Sequence, residues 1–88
     1  MAKRGSDIQP GEFYEDSAHH PCVCVGVSEH NDEIWGISLI DGSQPRSCSL
    51  NHSGVRKLTI AEVQEWKDKG PPEVRNDPKF PREKKWWR

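Results

Sequence analysis

The 88-residue sequence has no long hydrophobic run, because its longest apolar stretches are only as long as a β-strand. A helix that crosses a bilayer needs about 20 consecutive apolar residues. Residues 1–7 also lack the apolar segment that a signal peptide requires. We therefore expect no membrane association and a cytoplasmic location.

Cysteine is scarce as well, and its count of three is odd. An odd number of thiols cannot close a complete set of disulfides within one chain, whereas small secreted domains depend on such sets. A reducing compartment is therefore expected, which agrees with a cytoplasmic location. The three thiols belong to Cys22, Cys24 and Cys48.

Charge of one sign is not in excess, since the formal net charge is only -1. The average charge therefore predicts neither a nucleic-acid binder nor a membrane protein. The distribution is uneven, however. Residues 1–66 carry 5 basic and 10 acidic side chains, a net charge of -5, and residues 67–88 carry 8 basic and 4 acidic ones, a net charge of +4. The two parts need separate interpretations.

The common catalytic motifs are missing: there is no glycine-rich phosphate loop, no metalloprotease helix motif and no serine elbow. Hydrophobic residues make up 32% of the chain, so one small domain with a compact core is expected. Such a core leaves room for only a shallow cleft, whereas a Cys–His catalytic pair needs a pocket and a partly exposed thiolate. The sequence therefore predicts that the protein is not an enzyme.

What the sequence does contain is a series of five short β-type runs separated by turn residues. Asp41-Gly42, a turn signal that closes hairpins, separates the third run from the fourth, and Gly26 and Gly36 permit a bulge. The runs cover residues 12–15, 21–27, 34–40, 46–50 and 55–58. Because side chains alternate between the two faces of a strand, one face carries the predicted core, made of Val23, Val25, Trp35, Ile37 and Leu39.

A short helix is predicted directly after the last strand. Thr59 and Glu62 match the capping-box pattern, in which two side chains satisfy unpaired N–H groups of the first helical turn. Val63 and Trp66 fall at near-helical spacing, and Gly70 with the two following prolines ends the helix. A helix of this length is marginal alone, so these two apolar side chains are expected to dock on the sheet.

This order of strands, with a single helical turn expected at residues 51–54, resembles the small barrels of Src-homology type found in many binding modules. The resemblance covers residues 11–58 and implies a mainly β fold, a five-stranded antiparallel barrel. The aromatic peptide-binding pattern of Src-homology domains is not recognisable here. Segments 20–22, 38–43 and 54–58 also resemble in style short uncharacterised bacterial or phage proteins, a likeness that implies no activity.

The predicted organisation has three parts. Residues 1–10 form a flexible N-terminal arm, residues 11–69 form the barrel with its docked C-terminal helix, and residues 70–88 form a flexible, proline-rich, basic and aromatic tail. The charge difference between the two ends of the chain thus follows a predicted structural boundary.

Histidine and cysteine occur in two groups whose side chains are of the kind that zinc prefers. The spacing is poor, because Cys-x-Cys lacks the turn that Cys-x-x-Cys provides, and free cysteines are common small core residues. A small zinc-binding or thiol-based protein is therefore the alternative interpretation, and no cofactor or metal is expected. The candidate ligands are His20, Cys22, Cys24, Cys48 and His52.

The tail combines charge with aromatic rings. From Lys79 to Arg88 there are five basic residues, interleaved with Phe80, Trp86 and Trp87. Such a segment suits phosphates and bases, or a protein interface, but it could also be a solvated end or could fold back on the barrel. The sequence thus predicts a non-enzymatic binding module for a protein or nucleic-acid partner. The predicted contact residues are Arg56, Lys57, Lys84, Lys85, Trp86, Trp87 and Arg88.

Overall fold

The structure is a computed structural model that describes residues 8–28, 30–52 and 54–87. These residues form five strands, one α-helix and one 3-10 helix, which confirms the predicted mainly β fold with a C-terminal helix. The elements are β1 (Phe13–Glu15), β2 (Pro21–Ser28), β3 (Glu33–Ser38), β4 (Cys48–Ser49), β5 (Arg56–Leu58), α1 (Ile60–Lys69) and a 3-10 helix (Arg82–Lys84). Within the described residues, no helix is long and apolar enough to cross a membrane.

The five strands form one antiparallel sheet in the order β4-β3-β2-β1-β5. Strands β4 and β5 are its two edges and do not pair with each other in the described part of the chain, so the predicted closed barrel is not confirmed. These edge strands are only two and three residues long. They offer few backbone groups with which to close the sheet.

A β-bulge in β2 changes which side chains share a face. Cys24 is paired with Gly36, but the next pair is Gly26 with Trp35, so Val25 is the extra residue. An extra residue reverses the alternation beyond it. Val27 therefore packs on the same side as Cys24, whereas Val25 is 53% exposed.

The core lies on the face of the sheet opposite to the predicted one. The prediction of Val23, Val25, Trp35, Ile37 and Leu39 as the core is wrong, since Val25 is exposed and the other four are only half-buried. Both faces of β2 and β3 are apolar enough to be buried. The face that is buried is the one that the loops and the N-terminal segment cover, and its side chains are Ile8, Tyr14, Cys22, Cys24, Ile34, Leu50 and Val55.

Helix α1 covers part of the other face. The predicted capping box is confirmed, with the Thr59 side chain accepting from the Glu62 N–H and the Glu62 side chain accepting from the Thr59 N–H. The predicted docking is confirmed too, because Val63 and Trp66 are buried. Their cluster includes Leu58, Phe13 and Leu39. The helix ends at Gly70, whose φ of 83° suits a residue without a side chain.

Parts of both predicted flexible ends pack against the rest of the fold. Ile8, inside the predicted arm of residues 1–10, is only 1% exposed and belongs to the core, while residues 1–7 lie outside the described residues. Residues 71–87 follow a series of turns that fold back onto α1 and the β1–β2 loop, which is one of the alternatives that the composition left open. Apolar rings favour burial over an extended path through water.

Candidate binding surface

The returning tail places its aromatic rings against the end of α1 and the β1–β2 loop. The Trp86 indole N–H donates to the carbonyl oxygen of Trp66 at 2.9 Å, and the same oxygen accepts from the Gly70 N–H at the end of the helix. The Trp86 ring also meets the His20 ring edge to face, with 4.9 Å between the centroids. The tail is therefore attached at two separate places.

Trp87 and Phe80 extend this contact into a ring cluster. The Trp87 ring lies over Gly70, where any side chain would collide with it. Its centroid is 4.9 Å from that of Trp86 and 5.9 Å from that of Phe80. Phe80 in turn is 5.9 Å from His19. The absence of a side chain at Gly70 thus allows the positive φ that ends the helix and leaves room for the Trp87 ring.

We call this cluster and its charged neighbours the C-terminal aromatic surface. Its rings are only half-buried, so part of each faces solvent. The neighbouring cations are exposed and form no ion pair with any described residue. Lys85 differs, because its ammonium donates to the Asp77 carbonyl oxygen at 3.3 Å. The surface consists of the rings Phe80, Trp86 and Trp87 and the cations Lys69, Lys79, Arg82, Lys84 and Lys85.

The β1–β2 loop that receives the tail is held by the carboxylate of Asp16. One oxygen accepts from the backbone N–H groups of Ala18 and His20, each at 2.9 Å. The other accepts from the Arg46 Nε at 2.7 Å, which ties the loop to the segment before β4. His19, between these contacts, takes a left-handed φ of 69°. This geometry sets the positions from which His19 and His20 meet the tail.

A second buried carboxylate, Glu15, joins β1 to β5. It is 1% exposed and accepts from the Arg56 Nε at 2.8 Å, and its other oxygen lies 3.0 Å from the His19 Nδ1. Arg56 also pairs with Glu73 at 3.0 Å and lies over the Trp66 ring, 5.6 Å from its centroid. A buried carboxylate needs such partners to offset its desolvation. Arg56 thus connects the strand, the helix and the tail.

The predicted partner-binding residues therefore lie in different settings. Arg56 is engaged as described, and the Lys57 ammonium pairs with Glu12 at 3.0 Å. Lys84, Lys85, Trp86 and Trp87 are brought together in the C-terminal aromatic surface. Arg88 lies outside the described residues. The binding role of all seven stays a prediction.

The two histidines under the tail have pKa values shifted in opposite directions. The hydrogen bond with the Glu15 carboxylate raises the pKa of His19 above its usual value. Burial lowers the pKa of His20, and the Arg46 charge adds to that effect. The His20 Nδ1 also lies 2.8 Å from the Ser38 hydroxyl. Ser38 is only 2% exposed, so the serine of this Ser–His pair is buried.

The candidate zinc ligands are placed as core and loop residues. Burial raises the pKa of the Cys22 and Cys24 thiols, and it raises the pKa of Cys48 to about 11. Without a metal these thiols stay protonated near neutral pH, whereas nucleophilic chemistry needs a thiolate. The His52 Nδ1 accepts from the Gly54 N–H at 2.9 Å. Across residues 8–28, 30–52 and 54–87, no three His, Cys, Asp or Glu side chains are grouped to hold a metal ion.

A shallow polar depression of about 240 Å³ lies between the β1–β2 loop and residues 45–47. Small-molecule sites are usually larger and mostly apolar. The two charged groups in its lining, Asp16 and Arg46, pair with each other. The depression thus offers neither the size nor the free charge of a small-molecule site.

Sequence reasoning missed the parts of the surface that come from elsewhere in the chain. Neither His19 nor His20 was predicted to contact the tail. The hydrogen bond to the Trp66 carbonyl could not be predicted either, because every residue has a backbone carbonyl. The available signal was the pair of adjacent tryptophans, which need cover or a partner. No protein-family model, curated protein or solved structure matches this chain significantly. The geometry of the chain itself therefore carries the functional argument.

Proposed function

We propose that this protein is a non-enzymatic binding module that holds an acidic macromolecule, a protein or a nucleic acid, on its C-terminal aromatic surface. The observation that carries the proposal is the pairing pattern of its charges. Four exposed cations of this surface have no carboxylate partner among the described residues, whereas Arg46, Arg56 and Lys57 each have at least one. Cations without internal partners are free to meet an external anion.

The attachment of the rings supports the same proposal. Trp86 and Trp87 are held by the Trp66 carbonyl, by His20 and by the flat seat at Gly70. A binding surface that is already ordered loses less side-chain entropy when the partner arrives. The half-buried rings can therefore contribute contact area at low cost.

Assignment of the fold to the small barrels of Src-homology type belongs to this proposal, as does a cytoplasmic location. The assignment of the fold is supported by the position of β1 between β2 and β5 and by the β2–β3–β4 meander. The bulge at Val25, which increases the coiling of β2, supports it too. Before β5, the His52 N–H donates to the Ser49 carbonyl and the Val55 N–H donates to the His52 carbonyl, each at 3.1 Å. Binding on the C-terminal aromatic surface does not depend on closure of the sheet.

The experiment that tests the proposal compares two variants that each lose one positive charge. Lys84→Gln removes a cation of the surface, and Lys57→Gln removes one that pairs with Glu12. The purified proteins are eluted by salt from immobilised heparin, a generic polyanion. Wild type and Lys57→Gln should elute at the same salt concentration. Lys84→Gln should elute at a lower salt concentration, because it has lost one charge contact with the polyanion and salt screens the remaining contacts more readily.

Two results would contradict the proposal. One is wild-type protein that passes through the column at low salt. The other is equal elution of the two variants, which would mean that only overall charge matters.

A further inference from the structure

The C-terminal aromatic surface alternates rings with cations. Lys79 precedes Phe80, and Lys85 precedes Trp86. The Trp87 ring lies over Gly70, which directly follows Lys69 in the chain. Each of the three rings therefore has a lysine next to it in the sequence or next to the residue that it covers. A partner that matches this pattern has an aromatic group and a negative charge in every repeating unit.

A nucleic acid strand is such a chain, with one base and one phosphate per nucleotide. We infer that the acidic partner of the C-terminal aromatic surface is a single-stranded nucleic acid, an inference that rests on the proposed function. Phosphates would meet the lysines and Arg82, and bases would stack on the exposed parts of the rings. An acidic protein segment supplies carboxylates but no regular series of aromatic faces.

The ring geometry favours a single strand over a duplex. The planes of Trp86 and Trp87 are 85° apart, and those of Phe80 and Trp87 are 32° apart. Bases that meet these rings have to turn away from one another, as unstacked bases of a single strand can. Bases of a duplex remain stacked and offer the rings no free faces. We expect little sequence preference, because every base has an aromatic face.

The charge of residues 1–66 restricts the contact with a nucleic acid to the C-terminal aromatic surface. Residues 1–66 have a net charge of -5, which repels a phosphate backbone. The three cations of that region that the structure describes are engaged, with Arg46 on Asp16, Arg56 on Glu15 and Lys57 on Glu12. A strand is therefore expected to contact the C-terminal aromatic surface and to leave the sheet free.

The test uses the full chain and three probes: a labelled single-stranded DNA of about 12 nucleotides, the matching duplex and poly-glutamate. Fluorescence anisotropy measures binding, and quenching of tryptophan emission reports stacking. The single strand should bind at least about tenfold more tightly than either other probe, since stacking on one ring is worth about that factor. It should also quench tryptophan emission.

Charge variants make the test independent of folding, because Lys69 and Lys84 are exposed and form no ion pair within the described chain. Lys84→Gln and Lys69→Gln should each reduce the slope of log affinity against log salt by about 0.7, the value for one phosphate contact on a single strand. Lys57→Gln is the matched control and should leave the slope unchanged.

The outcomes separate this inference from the proposed function. Tighter binding of the duplex or of poly-glutamate, or single-strand binding without tryptophan quenching, overturns the inference while heparin retention that depends on Lys84 still supports a binding module. Failure of the wild-type protein to bind heparin and all three probes overturns both.

Discussion

The charged residues of the sheet and those of the C-terminal aromatic surface behave in opposite ways. In the sheet and its β1–β2 loop, Glu15 and Asp16 are buried, and each has an arginine at hydrogen-bond distance. On the surface, Lys79 and Lys84 are exposed and have no carboxylate partner in the described residues. Charge in one region maintains the fold and in the other remains available. A charged residue is informative about binding only once its partners are known.

The largest expected effect on stability comes from the removal of a buried carboxylate. Asp16→Ala deletes the acceptor for two backbone N–H groups and leaves Arg46 without its partner. We expect a loss of about 3 to 5 kcal/mol in the free energy of unfolding, measured by urea denaturation. Total stabilities of small domains are of similar size, so the variant could be largely unfolded.

Lys84→Ala is the comparison for that experiment. It removes an exposed charge that has no ion pair with a described residue, and it should change the free energy of unfolding by no more than about 0.5 kcal/mol. Similar losses in the free energy of unfolding for Asp16→Ala and Lys84→Ala would contradict the distinction between charges that maintain the fold and charges that remain available.

The same contrast applies to apolar side chains on the two faces of β3. Ile34 is fully buried and Ile37 is half-buried. Ile34→Ala should cost about 2 to 5 kcal/mol, as a cavity in the core does. Ile37→Ala should cost about 1 kcal/mol, because less of its area leaves water on folding. Thermal melting of both variants measures the difference, and a larger effect at Ile37 would place the core on the originally predicted face.

The local features of this fold could be predicted because each depends on a few neighbouring residues. The Asp41-Gly42 turn is an example, since Gly42 adopts a φ of 72° and the Asp41 carboxylate accepts from the Ser43 N–H at 2.9 Å. The capping box at Thr59 and the helix end at Gly70 are others. A turn or a cap needs only its own side chains and backbone.

The choice of the buried face could not be predicted in this way. Both faces of β2 are apolar, and Val25 as an extra residue reverses the alternation halfway along the strand. Which face is covered depends on distant residues such as Ile8 and Val55. A pattern with a period of two contains no information about them.

The arrangement of the C-terminal aromatic surface was also beyond local patterns. Composition correctly marked Trp86 and Trp87 as residues that need cover or a partner. Their seat, however, is built from a helix-end carbonyl, a histidine and Gly70. The ion pairs that engage Arg46 and Arg56 likewise join residues 30 and 41 positions apart. Contacts over such separations follow from the tertiary fold.

The smallest expected effect concerns the histidines at the boundary between the two regions. His19 has a raised pKa because of Glu15, so its protonated form stabilises the fold below its unfolded pKa of about 6.5, and this contribution is lost as the pH rises through the folded value. His20 has a pKa lowered by burial and by Arg46, so the fold favours its neutral form. Its contribution is present above about pH 6.5 and is lost as the pH falls towards the folded value.

Two variants measured at about pH 5 and pH 8 separate these opposite contributions. His20→Gln should raise the melting temperature at the lower pH relative to the higher one, because the residue that resists protonation is gone. His19→Asn, chosen because asparagine tolerates the left-handed φ of 69°, should lower it. Since Trp86 contacts the His20 ring, tryptophan emission of wild-type protein should also change as His20 titrates. Equal pH dependence of the melting temperature in both variants would mean that folding does not shift the pKa values of the two histidines in opposite directions.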